Sequence, residues 1–135
     1  MAPVTPDFSQ LNYLAKGSAT QKAAYLAIIA SNVFGLLEQY TPLLVGTLPL
    51  DLFTPYSDLD VLCYAPVPDT FATFVQQHFN GQQDFSLSRK KVNGIDTVIA
   101  RFSSHGYLFE IFTQPIPPHR QVAYRHLLAE YTLLH

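Results

Sequence analysis

The sequence has little charge, one cysteine and no tryptophan. Charged residues make up 13% of its 135 residues, well below the roughly 25% of an average soluble domain. Its eight Lys and Arg residues form no long run, which argues against a dedicated nucleic-acid binder, whose surface carries a basic stripe. The single cysteine, Cys63, excludes an internal disulfide and a cysteine zinc site. Its apolar neighbours in sequence predict a buried, reduced thiol.

Long apolar runs are also missing, since none reaches about 18 residues without a polar interruption, and no membrane span is predicted. Residues 1–7 show neither the basic nor the apolar region of a secretory leader, so a cytoplasmic location is expected. Apolar residues nevertheless account for 48% of the chain. This fraction predicts a well-formed core and leaves surface for a protein partner or a second copy. The length predicts one domain over 1–135.

The order of apolar, glycine and proline residues predicts an α/β fold of the α+β type. Helices are expected over 6–16, 20–39, 69–79 and from 119 onward, and strands over 43–46, 58–64, 84–91, 96–103 and 107–113. Thr20 and Asp69 are the predicted helix N-caps. Asn93-Gly94 and Ser104-His105-Gly106 mark two hairpin turns. We therefore expect a mixed, mostly antiparallel sheet of about five strands flanked by helices.

The most informative pattern is Gly46-Thr47 followed, after ten residues, by Asp58-Leu59-Asp60. Alternate residues of a strand point to the same face, so the carboxylates of Asp58 and Asp60 should project together. Two adjacent carboxylates repel unless a positive charge lies between them, and a divalent metal is the usual one. A Gly-Thr turn can present backbone N–H groups to a phosphate. The pattern predicts phosphoryl or nucleotidyl transfer, with ordinary turn residues as the alternative.

Glu110 is the candidate for the third carboxylate of such a site. It lies in the middle of an apolar strand, where a carboxylate is costly to bury unless it is paired or binds a metal. If that strand lies beside residues 58–64, Glu110 faces both aspartates at about 5 Å between backbones. The expected chemistry uses two Mg²⁺ ions about 4 Å apart. Asp58 and Asp60 would be shared ligands, and Glu110 would ligate the acceptor-side ion or act as its base.

Positively charged side chains leave two questions open. Glu110 has an alternative role as a buried carboxylate paired with Arg101, Arg120 or Arg125. The densest positive cluster, residues 89–91, is either a solvated strand edge that discourages edge pairing or a contact for a triphosphate or acceptor. Arg125, on the final helix, either reaches a phosphate and the carboxylates or forms ordinary pairs on the helix surface.

Two loop residues before the aspartates are assigned by position. Ser57 is expected either to cap the loop or to hold Asp58, and it is a secondary candidate for nucleotide binding. Asp51, in the same loop, is expected to be a turn residue rather than a ligand.

The pattern formed by Gly46-Thr47, Asp58-Leu59-Asp60 and Glu110 resembles the nucleotidyltransferase superfamily, sometimes named after DNA polymerase beta. More narrowly, the chain looks like the bacterial domain of unknown function 4269 family over roughly residues 10–135. The segments that carry this likeness are 46–50, 57–63, 109–114 and 121–126. The resemblance implies a minimal nucleotidyltransferase fold, a nucleoside triphosphate donor such as ATP, and Mg²⁺. It also implies that part of the family's C-terminal helical segment is absent.

The sequence therefore predicts a minimal Mg²⁺-dependent nucleotidyltransferase that moves a nucleoside monophosphate from a nucleoside triphosphate to an unidentified hydroxyl acceptor. The alternative is a catalytically silent nucleotide-binding or protein-interaction module on the same fold, and a homodimer or protein partner fits either reading. The predicted catalytic and metal residues are Asp58, Asp60 and Glu110, and the predicted nucleotide-binding residues are Gly46, Thr47, Ser57 and Arg125.

Overall fold

The computed structural model describes residues 5–135. Residues 1–4, on which part of the leader prediction falls, lie outside the described residues. The helices are α1 (Asn12–Ala15), α2 (Ala19–Ser31), α3 (Val33–Leu36), α4 (Pro68–Phe79) and α5 (Val122–Leu134), with 3₁₀ turns at Glu38–Tyr40 and Pro118–Arg120. The strands are β1 (Leu43–Val45), β2 (Leu59–Tyr64), β3 (Gln83–Val92), β4 (Ile95–Ser104) and β5 (Tyr107–Gln114).

The strands form one mixed sheet in the order β1-β2-β5-β4-β3, which confirms the predicted α+β class. β2 and β5 run parallel, and every other neighbouring pair is antiparallel. The predicted bounds of β3, β4 and β5 are correct to within one residue. Both predicted hairpin turns carry two residues with positive φ, at Asn93-Gly94 and His105-Gly106, as tight two-residue turns require.

The predicted helix over 20–39 is wrong in its length, because the chain breaks at Asn32. Asn32 takes a left-handed conformation with φ of 55°, which ends α2 and begins α3. Gly35 packs against the Asn32 side chain, which would have to shift to admit a Cβ. The predicted Thr20 cap is also wrong. The cap is Ser18, whose hydroxyl accepts from the Gln21 N–H while the Gln21 side chain accepts from the Ser18 N–H, a capping box.

Three other helix starts differ from the sequence prediction. The first helix shortens to α1, because the residues before it form turns. Val67 is the N-cap of α4, with Pro68 at its first position. Asp69 lies in the first turn of α4, where its negative charge interacts favourably with the helix dipole. The final helix begins at Val122, after a separate 3₁₀ turn.

One face of the sheet packs under α2 and α4 and forms the main core. Alternate strand residues point into it, including Val61 of β2 and Ile111 of β5, both fully buried. A stack of aromatic rings runs from Phe79 of α4 through Phe102 to Phe109, with centroids 5.1 and 5.2 Å apart. Cys63 is a buried free thiol, as predicted.

The opposite face of the sheet carries the predicted acidic residues and is partly covered by α5. Leu127 of α5 packs against Leu62 of β2 and Val45 of β1 in a second, smaller core. The start of α5 is fixed by Gln121, whose side-chain amide donates to the carbonyl oxygens of Cys63 and Ile116, both at 2.9 Å. Because α5 covers this face only in part, a cavity remains between α5 and the sheet.

Within residues 5–135, no helix is long and apolar enough to cross a membrane.

Candidate metal centre

The structure brings the three predicted carboxylates together. One oxygen each of Asp58, Asp60 and Glu110 can be chosen so that all lie within 4.8 Å of one another, and all three residues are half-buried. Asp60 and Glu110 are direct neighbours in the parallel ladder between β2 and β5, while Asp58 lies one residue before β2. Strand alternation puts Asp58 on the face of Asp60, and the strand order then adds Glu110.

Asp60 has the most perturbed chemistry of this cluster. Burial, followed by the negative charges of Glu110 and Asp58, raises the pKa of Asp60 to about 7, against a small lowering from Arg101. A raised pKa means that the folded protein resists placing a full negative charge there. A bound divalent cation would reverse this preference, because it stabilises the ionised carboxylate.

The perturbed pKa of Asp60 predicts how stability depends on pH in the metal-free protein. The unfolded carboxyl loses its proton near pH 3.8 and the folded one near pH 7. Between these values the folded state binds more protons, so the free energy of unfolding should fall as pH rises and then level off. A shift of this size corresponds to roughly 4 kcal/mol, which solvent screening at this partly exposed group should reduce to about 2 kcal/mol.

Urea unfolding at pH 4 and pH 8 in the presence of EDTA measures this difference. The Asp60→Asn variant should show a smaller difference by about the same amount, since it removes the titrating group. Equal pH dependence in the wild type and Asp60→Asn would contradict the assigned pKa.

Gly46 is the residue that lets the preceding turn approach Asp60. Val45 pairs with Asp60 in the ladder between β1 and β2, and Gly46 follows with φ of 81°. A Cβ at Gly46 would lie 2.5 Å from Oδ2 of Asp60, well inside the contact distance. Both the conformation and the close approach therefore require glycine.

Arg101 lies beside the acidic cluster and pairs with one of its carboxylates. It lies opposite Glu110 in the ladder between β4 and β5, and its Nη2 is 3.4 Å from Oε2 of Glu110. Of the three pairings considered for Glu110, this is the one that forms within residues 5–135. The guanidinium is about half exposed, so the ion pair contributes little to stability. When all three carboxylates are ionised, it leaves the cluster with excess negative charge.

Replacing Arg101 by glutamine is expected to strengthen metal binding by the cluster. The guanidinium competes with a cation for Glu110 and repels it electrostatically. Its removal should increase Mn²⁺ affinity about threefold to tenfold, as measured by calorimetry. Arg120→Gln, an exposed site on the 3₁₀ turn, is the control and should leave the affinity unchanged. Weaker Mn²⁺ binding by Arg101→Gln would instead show that Arg101 positions Glu110 for the metal.

The acidic cluster opens into a cavity of about 460 Å³, a size typical of small-molecule sites. Asp60, Glu110 and the Gly46-Thr47 turn line its acidic end. Its body is mainly apolar, and its far wall comes from α5 and the turn between β3 and β4. The remaining lining residues are Val45, Leu50, Leu62, Val92, Asn93, Ile95, Phe112, Gln114, Val122, Ala123, His126, Leu127 and Glu130.

Two predicted nucleotide-binding residues lie outside the cavity lining. The Ser57 hydroxyl bonds within its own loop, accepting from the Thr54 N–H at 3.0 Å and lying 3.1 Å from the Thr54 hydroxyl. Arg125 is exposed on α5 and does not line the cavity, whereas the next residue, His126, does. Asp51 is a turn residue, as predicted, with φ of 58° and a hydrogen bond from the Ser18 hydroxyl.

Arg89, the first residue of the basic cluster at 89–91, is directed away from the site. Arg89 forms ion pairs with Asp69 of α4 and, at 3.2 Å, with Asp96 of β4. These partners place its side chain on the α4 side of the sheet, opposite the acidic cluster. For Arg89, these ion pairs favour the strand-edge role over a triphosphate contact.

The residues of α5 that line the cavity were not identified from the sequence, which pointed only to Arg125. Val122, His126 and Glu130 line it and recur every four residues, which places them on one helical face. This spacing was available as a signal. Its meaning depends on how α5 folds back over the sheet, which the Gln121 hydrogen bonds determine.

The fold and the site together define a small α+β domain with an acidic cluster at one end of a sheet-and-helix cavity. A family model described as Domain of unknown function (DUF4269) matches residues 26–135. The chain belongs to this family, which confirms the narrower of the two resemblances. No curated protein matches the chain.

Proposed function

We propose that this protein is a minimal Mg²⁺-dependent nucleotidyltransferase of the superfamily named after DNA polymerase beta. It transfers a nucleoside monophosphate from a nucleoside triphosphate to a hydroxyl acceptor. The observation that carries the proposal is the convergence of Asp58, Asp60 and Glu110 within 4.8 Å, where Asp60 and Glu110 line one end of a nucleoside-sized cavity.

The donor set fits Mg²⁺. Its ligands would be carboxylate oxygens, which hard cations prefer, and three carboxylates leave coordination positions for substrate phosphates. The raised pKa of Asp60 supports this fit, because burial and then the negative charges of Glu110 and Asp58 disfavour an ionised carboxylate that a bound cation would stabilise. Bound Mg²⁺ would supply charge neutralisation at the phosphates and activation of the acceptor hydroxyl.

The chain's own residues have distinct roles in the proposed reaction. Asp58 and Asp60 would hold the Mg²⁺ that binds the phosphates, and the Gly46-Thr47 turn, which lies against the same carboxylates, would bind the outer phosphates. Leu62 and Phe112 line the apolar body, which suits a nucleoside. The acceptor oxygen bonds to the α-phosphorus as the bond to pyrophosphate breaks, and the acceptor proton passes to Glu110.

Pyrophosphate release tests the proposed function. The purified protein is incubated with Mg²⁺ and ATP, GTP, CTP or UTP, with water and a panel of small alcohols, sugars and nucleotides as acceptors. Release is expected with at least one triphosphate, and Asp58→Asn should lose it while keeping its fold. If no triphosphate gives more release with the wild type than with Asp58→Asn, the proposal is overturned.

A second candidate is a silent nucleotide-binding or protein-interaction module. The Arg101 ion pair favours it, because it gives Glu110 a partner without metal. Exposed apolar residues on α2 also favour it, since Leu26 and Ile29 lie about one turn apart and are 67% and 54% exposed. A protein that binds nucleotide without turnover and elutes as a dimer by light scattering would support this candidate. A monomer that releases pyrophosphate would exclude it.

A further inference from the structure

The cavity contains an unusual distribution of charge for a nucleotide site. Its ionisable lining residues are Asp60 of β2, Glu110 of β5, and His126 and Glu130 of α5. A triphosphate is strongly anionic and is normally bound by positively charged side chains. Of the residues that line the cavity, only His126 can carry a positive charge.

The arginines near the cavity are paired with carboxylates or lie outside its lining. Arg101 is paired with Glu110 on the sheet, and Arg89 is paired with Asp69 and Asp96. Arg125 precedes His126 on α5 but does not line the cavity.

The position of His126 on α5 is well defined. Gln121 anchors the start of the helix to the sheet through two hydrogen bonds of 2.9 Å. Leu127, next to His126, is buried in the second core and is 2% exposed. The Gln121 anchor and the buried Leu127 fix the helix around His126, so His126 faces the cavity from the wall opposite the sheet. Its own side chain stays accessible to a ligand.

We propose that His126 is a substrate-binding residue that donates a hydrogen bond to the phosphate chain of the bound nucleotide. This inference rests on the proposed function, because it assumes that a nucleoside triphosphate occupies the cavity. It assigns the phosphate contact on α5 to His126 in place of Arg125, which the sequence analysis named as a nucleotide-binding candidate.

Calorimetric titration with Mg²⁺ and inorganic tripolyphosphate tests the assignment, with ATP, GTP, CTP and UTP and their nucleosides as further probes. His126→Gln should weaken tripolyphosphate and nucleoside triphosphate binding about tenfold. Nucleoside binding should not change. His126→Lys, which keeps a positive charge, should retain most of the affinity for tripolyphosphate. His119→Gln, an exposed histidine outside the cavity lining, is the matched control and should behave as the wild type.

Each alternative result has its own meaning. Equal binding of tripolyphosphate by the wild type and His126→Gln would overturn the assignment while leaving the proposed function intact. An equal loss of nucleoside and tripolyphosphate affinity would also overturn it, since it would show a general effect on the cavity. If the wild type binds no triphosphate in the presence of Mg²⁺, the proposed function and this inference both fall.

Discussion

Replacing Asp60 by asparagine is expected to abolish metal-dependent activity and, at the same time, to stabilise the metal-free protein. Asp60 is the central carboxylate of the cluster, beside Glu110 in the ladder and within 4.8 Å of Asp58. Loss of its charge should weaken Mn²⁺ binding at least about 100-fold and lower the proposed nucleotidyl transfer at least about 1,000-fold.

The expected gain in stability of Asp60→Asn follows from the raised pKa of Asp60. Above pH 7 the folded protein must hold an ionised Asp60 that burial, Glu110 and Asp58 all disfavour. Asparagine removes that cost, so the free energy of unfolding at pH 8 in EDTA should rise by about 2 kcal/mol. At pH 4 the two proteins should differ little, because the aspartic acid is then largely neutral in the folded state.

Urea unfolding at both pH values and Mn²⁺ titration measure the two effects on one variant. Asp84→Asn is the control, because Asp84 is exposed and lies in a left-handed conformation that asparagine also accepts. It should change neither quantity. A variant Asp60→Asn that is less stable than the wild type at pH 8 would show that this carboxylate makes a structural contact and is not held at an electrostatic cost.

Replacing Gly46 by alanine should both destabilise the fold and disturb the metal site. The φ of 81° costs an alanine about 1 to 2 kcal/mol. The new methyl group would also lie 2.5 Å from Oδ2 of Asp60, which adds about 1 to 3 kcal/mol of overpacking. Because the carboxylate must move to relieve the contact, Mn²⁺ affinity should fall about tenfold or more.

Gly106→Ala separates the two causes. Gly106 has a similar φ of 83°, but a Cβ there would meet nothing within 4 Å. This control should therefore lose only about 1 to 2 kcal/mol and should keep its Mn²⁺ affinity. Equal losses of stability and unchanged metal binding in Gly46→Ala and Gly106→Ala would show that the close approach to Asp60 has no functional consequence.

The acidic cluster was predictable from sequence because it depends on strand alternation and one neighbouring strand. Asp58 and Asp60 are two residues apart. Glu110 interrupts an apolar strand, in which a carboxylate is costly to bury. The hairpin turns around Asn93 and His105 were predictable for a similar reason, since their backbone requirements are local.

Features that depend on tertiary contacts were not predictable. The break at Asn32 leaves no proline signal, and it separates α2 from α3 although the apolar pattern continues across it. The choice of Arg101 as the partner of Glu110 follows from the register between β4 and β5. The position of His126 in the cavity depends on how Gln121 anchors α5, and neither the register nor that anchor can be read from residue types.

The most direct test of the account is an electron paramagnetic resonance titration of Mn²⁺ in the presence of each nucleoside triphosphate. We expect the wild type to bind Mn²⁺ weakly alone and much more tightly with a triphosphate, because substrate phosphates would complete the coordination that Asp58, Asp60 and Glu110 begin. Asp60→Asn should show no Mn²⁺ binding beyond that of the Mn²⁺–triphosphate complex that forms without protein. Nucleotide-dependent Mn²⁺ binding of equal strength in the wild type and Asp60→Asn would contradict the assignment of this cluster as the metal centre.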